Sequence, residues 1–190
     1  MFRHIHQGGI ITLFNSASMN PLQLWSTSTA AGEHIIFKQD EEVDSIVLCI
    51  QSADLAHSFI SCPKHKTETL GITLPFITML IKNMDHLFSF EAEILDTHGK
   101  VRRFRSSNYE SEARVEHKIS CLPLRLDHGW NYLTLNLQDM ATRIYGTGFK
   151  EVRRITVHAS ICVRLILFAD RIVPEDELPK ELRLYSKHTD

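Results

Sequence analysis

The sequence predicts a single all-β domain, a β-sandwich or jelly roll carrying one or two short helices. Two stretches of period-two alternation and a regular spacing of turn signals support that reading. In the first stretch, Phe88, Phe90, Ala92 and Ile94 alternate with Ser89, Glu91 and Glu93, giving a strand one apolar and one polar face. In the second, Ile155, Val157, Ala159, Ile161, Val163, Leu165 and Leu167 all share one parity. A helix would scatter these residues around its surface. So long a run exceeds an ordinary strand, so two strands joined near Ala159-Ser160 are expected.

The elements follow along the chain. Leu22-x-Leu24-Trp25 reads as core, and the small polar run Ser26–Ala31 as an exposed loop. Ser45–Gln51 is a compact buried strand. Phe88 to Ile94, the turn Asp96-Thr97-His98-Gly99 and the return from Val101 to Ser106 make a hairpin. Asn136 or Asp139 caps a short helix through Met140 to Ile144, which Gly146 ends. Pro174 followed by Glu175, Asp176 and Glu177 suits a helical turn, with carboxylates where the helix dipole favours them. Residues 1–190 read as one domain, and 174–190 as a C-terminal extension of it.

Composition agrees with a globular protein: 190 residues, 43% hydrophobic and 23% charged. The longest apolar runs, Ile72–Ile81 and Ile161–Ala169, fall far short of the ~20 residues of a membrane-spanning helix. The N-terminus lacks a basic-then-apolar signal pattern, so export is not expected. The formal net charge of −2 gives no global pull toward nucleic acid or anionic membrane, and electrostatic docking must come from local patches.

The chemistry-bearing candidates are sparse. Cys49, Cys62, Cys121 and Cys162 are widely spaced among apolar neighbours, so four reduced structural thiols are expected. Cys62-Pro63-Lys64-His65 has half of a zinc spacing but no second pair, and reads as a loop after a strand. His4-x-His6 reads as alternate residues on a terminal strand. No nucleophile elbow, phosphate loop or zincin motif occurs. Asp127 and Asp139 flank Trp130, and a glycosidase needs two carboxylates, but one reads as a turn residue and the other as a cap. No enzyme, metal or cofactor is expected.

The basic residues are the informative constellation. Lys100, Arg102, Arg103 and Arg105 crowd one strand, and Arg114 follows shortly after. Alternation places Arg103 and Arg105 on one face with Val101, and Arg102 on the other with Phe104. Arginine's planar fork suits carboxylates and phosphates. Arg143, Arg153, Arg154 and Arg164 are further basic positions. The bland reading of the cluster is a solvated face.

A set of segments, taken together, resembles the cilia- and flagella-associated protein 20 family. They are Met1-Phe2, Gln7-x-Gly9, Pro21-Leu22-Gln23-x-Trp25, Leu70-Gly71-Ile72-x-Leu74-Pro75-Phe76, Ile81-Lys82-Asn83 and Arg102-Arg103-Phe104-Arg105-x-Ser107-Asn108-Tyr109. Arg125-Leu126-Asp127-x-Gly129-Trp130-Asn131, Tyr145-Gly146-Thr147, His158-Ala159, Asp170-Arg171 and Glu175-Asp176-Glu177-Leu178-Pro179 continue the match in register to Tyr185. The resemblance implies a β-sandwich like that of carbohydrate-binding modules, without a catalytic role. It also implies a place at the inner junction of axonemal doublet microtubules, where such a protein helps close the B-tubule onto the A-tubule. The implied partners are tubulin of the A- and B-tubule protofilaments and a parkin-coregulated-gene family protein, and basal bodies are an implied second location. Two alternatives stay open: a carbohydrate-binding domain resting on Trp25 and Trp130, and a nuclear nucleic-acid cofactor using the same arginines.

Overall fold

The computed structural model describes residues 1–184 and consists of two facing β-sheets. The strands are β1 (Ile10–Asn15), β2 (Ser26–Ser28), β3 (His34–Asp40), β4 (Ser45–Gln51), β5 (Phe59–Cys62), β6 (Phe76–Asn83) and β7 (Ser89–Asp96). They continue with β8 (Val101–Ser107), β9 (Arg114–Val115), β10 (Ile119–Pro123), β11 (Gly129–Asn136), β12 (Phe149–His158) and β13 (Ile161–Ala169). A helix, α1 (Leu137–Tyr145), joins β11 to β12, and 3-10 turns occupy Glu175–Glu177 and Lys180–Leu182.

One sheet runs β11-β6-β13-β4-β3, with β1 also on β13; the other runs β2-β5-β12-β7-β8-β10-β9. All pairings are antiparallel except β8 with β10. Between the sheets lies one apolar core that includes Phe14, Leu48, Ile60, Phe88, Phe104, Ile155 and Phe168. Trp25 belongs to it, 2% exposed. Its indole N–H donates to the Leu13 carbonyl at 3.2 Å, and its ring meets Phe14 edge-on at 5.9 Å.

The late alternating run is indeed two strands, β12 and β13, but its parity does not hold throughout. Ile161 and Val163 face the inter-sheet core, and so do Ile166 and Phe168, while Leu165 and Leu167 face outward. The register against β6 shifts between Val163 and Leu165. An extra residue at this bulge, Arg164, reverses which side chains point inward. The partner changes at the same point: β13 pairs with β4 up to Val163 and with β1 from Leu165 onward.

The outward side chains of β13 do not meet water. Cys162, Leu165, Leu167 and Ala169 form a second apolar cluster with Val173, Leu178, Leu182 and Leu184 of the C-terminal segment. That segment lies across the outer face of this sheet, and Arg164 reaches it by donating to the Glu181 carbonyl at 3.1 Å. Residues 185–190, the rest of the sequence-read extension, lie outside the described residues.

Three expectations are corrected. Cys49 and Cys162 stand directly opposite on β4 and β13, their Cα atoms 4.1 Å apart, and are joined by a disulfide. Only strand pairing brings together residues 113 apart in sequence. Cys62 and Cys121 remain as thiols, and burial pushes Cys62 up to about 12. Within the run read as a loop, Ser26–Ser28 is the edge strand β2 on β5. Ser26 Oγ donates to the Ser61 carbonyl, and Ser28 Oγ to that of His57. His4 and His6 precede the first strand, in an irregular segment that Gln7 fastens through bonds from its amide to the carbonyls of Phe2 and Gly71, at 2.9 and 2.8 Å.

Of the two caps read from the sequence the helix uses Asn136, which accepts from the Asp139 amide at 3.0 Å, while Asp139 lies in the first turn. It ends at Gly146, whose φ of +65 closes the last turn.

The β7–β8 hairpin shows why Arg102 is a fold residue. Asp96 is 0% exposed and accepts from the amides of His98 and Lys100 at 2.9 and 2.8 Å, which fixes the turn. Arg102 Nε donates to its second oxygen at 3.1 Å, and Nη1 to the His117 carbonyl at 2.7 Å. The guanidinium lies over the Tyr145 ring at 4.3 Å. Burial opposes the Asp96 charge, but the two amides and the guanidinium outweigh it and hold the carboxyl below its ordinary range. Removing one partner of a buried pair leaves the other charge uncompensated. Arg102→Ala is therefore expected to lower unfolding stability by about 3–5 kcal/mol, whereas Arg103→Ala costs about 1 kcal/mol or less. Equilibrium urea denaturation of the two variants checks the contrast.

Candidate functional site: a charged face on the seven-stranded sheet

The register of β7 against β8 sets the site. Glu91 stands opposite Arg105, and Glu93 opposite Arg103. All four side chains point away from the core, because Phe90, Ala92, Ile94, Arg102 and Phe104 take the inward positions. Arg105 donates through Nε and Nη2 to Glu91 Oε1 at 2.8 and 2.6 Å. Arg103 bridges both carboxylates at longer range, Nε 3.6 Å from Glu91 and Nη2 3.4 Å from Glu93.

A bulge in β12 adds two more arginines. Val152 and Ile155 both reach the core though three residues apart, because the register shifts between Val152 and Arg154. The extra residue leaves Arg153 and Arg154 both outside the core. Arg153 Nε donates to Glu93 at 3.2 Å. Arg154 is bound otherwise: its guanidinium donates to the carbonyls of Pro63, His65 and Glu68 at 2.6, 3.0 and 3.2 Å. It pins the loop after β5 while its charge stays on the face.

The structure thus gathers Arg103, Arg105, Arg153 and Arg154 on one face, with Lys100 at its edge, and separates Arg102, Arg114 and Arg143 from them. Arg102 points into the fold. Arg114 pairs with Glu110 at 2.6 Å near the β9 edge, and Arg143 pairs with Asp139 at 2.8 Å on α1. Lys100 stands at the hairpin end, beside Arg103 and Lys118 in a groove of about 550 Å³. A second groove of about 510 Å³ is lined by Lys66, Arg154, Glu91, His158 and Phe59 among others, and shares Arg103 and Glu93 with the first.

Glu91, Glu93, His158, Lys66 and Lys118 are site residues that the sequence reading did not single out. The two glutamates were within reach: counting both ways from the turn pairs Leu95 with Val101, Glu93 with Arg103 and Glu91 with Arg105. The lysines sit on loops whose position depends on tertiary packing. The sugar-platform and glycosidase readings lose their geometry. Trp25 is core. Asp127 and Asp139 lie beyond opposite ends of the eight-residue β11, roughly 23 Å of strand apart.

His158 and Glu91 form the enclosed end of the face. His158 Nδ1 donates to the Leu55 carbonyl at 2.8 Å, and Nε2 faces Glu91 at 3.7 Å. Burial opposes the Glu91 charge. The contacts from His158 and Arg105, with the attraction of Arg105 and Arg103, outweigh it and hold the carboxyl at about 2. Because this value is depressed, the stabilisation is complete above the ordinary glutamate value of 4.5 and is lost as pH falls toward 2. The shift is worth about 3 kcal/mol. Acid unfolding should therefore steepen between those two values, and Glu91→Gln should flatten that portion of the stability–pH curve, as read by denaturant titrations at stepped pH.

Comparison with known proteins gives the family. Residues 1–186 match the CFA20 domain. The cilia- and flagella-associated protein 20 of Caenorhabditis elegans is 45% identical over 185 residues, covering 97% of this chain and 91% of that one. The Chlamydomonas reinhardtii protein of the same name is 41% identical, covering 97% of each chain. The Paramecium tetraurelia protein is 42% identical, covering 97% and 96%. Among solved structures, a family 11 carbohydrate-binding module from Clostridium thermocellum has a TM-score of 0.46 at 8% identity, covering 89% of this chain and 100% of that one. Nothing about ligands follows from a likeness at that level. The match along nearly the whole length assigns the chain to the CFA20 domain family, the family of cilia- and flagella-associated protein 20.

Proposed function

We propose that this chain is a non-catalytic structural component of cilia and flagella that docks onto other proteins through the charged face. The observation that carries the reading is the 41–45% identity, over 97% of the chain, to proteins named cilia- and flagella-associated protein 20. In its finer form, the chain sits at the inner junction of axonemal doublet microtubules. Tubulin of the A- and B-tubule protofilaments and a parkin-coregulated-gene family protein are its partners there.

The geometry suits that role. A wall component needs a rigid domain rather than a reactive cleft, and in this site both carboxylates are already occupied by arginines. An acidic partner surface, such as that of tubulin, complements a face rich in cations. Weak contacts repeated along a lattice add avidity.

The test uses a tagged chain in ciliated cells. The wild type is expected along the axoneme. Replacing Arg103, Lys100 and Lys118 with alanine spares the partly buried Glu91–Arg105 pair, so melting should stay close to wild type. Incorporation should fall, and the variant should wash out of isolated axonemes at lower salt, since exposed charge pairs are screened within about 8 Å at physiological ionic strength. Wild-type retention at every salt concentration would refute the face as the docking surface. A nuclear signal without a ciliary one would favour the nucleic-acid alternative.

A further inference from the structure

The two grooves meet at Glu93 and Arg103, so they form one trough running across the strands. Its floor passes from Arg154 on β12 to Glu93 on β7, Arg103 on β8 and Ile119 on β10, residues aligned by the sheet register. Three strand spacings make about 14 Å. Lys66 extends the trough beyond β12, and Lys118 borders the far end. At ~3.3 Å per residue, an extended chain fills this length with about four to six residues.

The charge of the trough is set against that of the rest of the molecule. Five cations line it, Lys66, Lys100, Arg103, Lys118 and Arg154, against the two carboxylates Glu91 and Glu93. The whole chain has a formal net charge of −2. Both carboxylates already hold the neighbouring Arg105 and Arg153. Lys66, Lys100 and Lys118 have no ion-pair partner among the described residues. Arg103, with its side chain 45% exposed and contacts no shorter than 3.4 Å, has N–H donors to spare at the centre.

The floor favours a peptide over a polyphosphate. A peptide brings carboxylates for the cations and N–H donors for the unused lone pairs of Glu91 and Glu93. A nucleic-acid backbone offers charged acceptors alone and would leave the two glutamates facing phosphate. Among the described residues, the one phenyl ring that lines the trough, Phe59, leans on His158 at 5.5 Å, and the trough has no Trp or Tyr on which bases stack.

We propose that the trough binds an extended acidic peptide segment of about four to six residues, with carboxylates on Arg103 and on the lysines at either end. This rests on the reading of the face as a docking surface and names its ligand class. The probe is a fluorescein-labelled hexaglutamate peptide, titrated with the full chain at low salt and read by anisotropy. Saturable binding is expected, weakened about tenfold or more by Arg103→Ala. The double variant Lys66→Ala/Lys118→Ala should weaken it similarly without touching the glutamate–arginine pairs. Lys38→Ala on β3, in the other sheet, should leave it unchanged. The proposal fails if hexaglutamate does not bind, if Lys38→Ala weakens binding as much as Arg103→Ala, or if hexalysine or a single-stranded hexanucleotide binds more tightly. Incorporation into cilia that depends on Arg103, together with no hexaglutamate binding, would overturn the peptide site and leave the docking reading standing.

Discussion

The buried clasp of Asp96 on its own turn and on Arg102 fixes how β7 meets β8, and the rest of the charged face depends on that register. A slip of one residue would turn Phe104 outward and bring Arg103 and Arg105 toward the core. Two charges would then need partners in an apolar layer that offers none. With the clasp closed, Arg102 spends its donors on Asp96 and the His117 carbonyl, and Glu91 and Glu93 fall opposite Arg105 and Arg103. One strand therefore serves the core with its even-numbered residues and the surface with its odd-numbered ones.

Two bulges adapt the sheets to their covering. In β12 the extra residue leaves Arg153 and Arg154 both outside, so the strand adds two cations where strict alternation allows one. In β13 the bulge at Arg164 reverses which side chains face the inter-sheet core and which face the C-terminal segment. Arg164 is 6% exposed, and burial lowers its proton affinity. Asn15 and the Glu181 carbonyl accept from it, which ties the covering segment to the point where β13 changes partners. The two outer faces differ: the C-terminal segment packs on the outward side chains of β13, and the seven-stranded sheet presents cations to solvent.

Local chemistry made much of this legible in the sequence. Period two located the β7–β8 hairpin and assigned Arg102 and Arg103 to opposite sides, and Asn136 and Gly146 marked both ends of α1. What stayed hidden depended on which strands are neighbours. Cys49 and Cys162 look like isolated buried thiols until β4 and β13 are adjacent. Ser26–Ser28 lacks the apolar alternation of a strand because it pairs at an edge. The parity reversal at Arg164 has no local signal, since Leu165 and Leu167 are as apolar as Ile166 and Phe168 and the strand is buried on both faces. Within the site, the arginines stood out by their clustering. Their glutamate partners followed only from the turn length, and Lys66 and Lys118 only from loop packing.

Arginine modification of the native chain tests the central claim most directly, because it reads which guanidinium groups the register exposes. After brief treatment with phenylglyoxal and peptide mass mapping, Arg103, with its side chain 45% exposed, should carry the label. Arg102 and Arg164, at 7% and 6% exposed, should be protected until the chain is unfolded. Equal labelling of Arg102 and Arg103 in the folded protein would contradict the register on which the charged face is built.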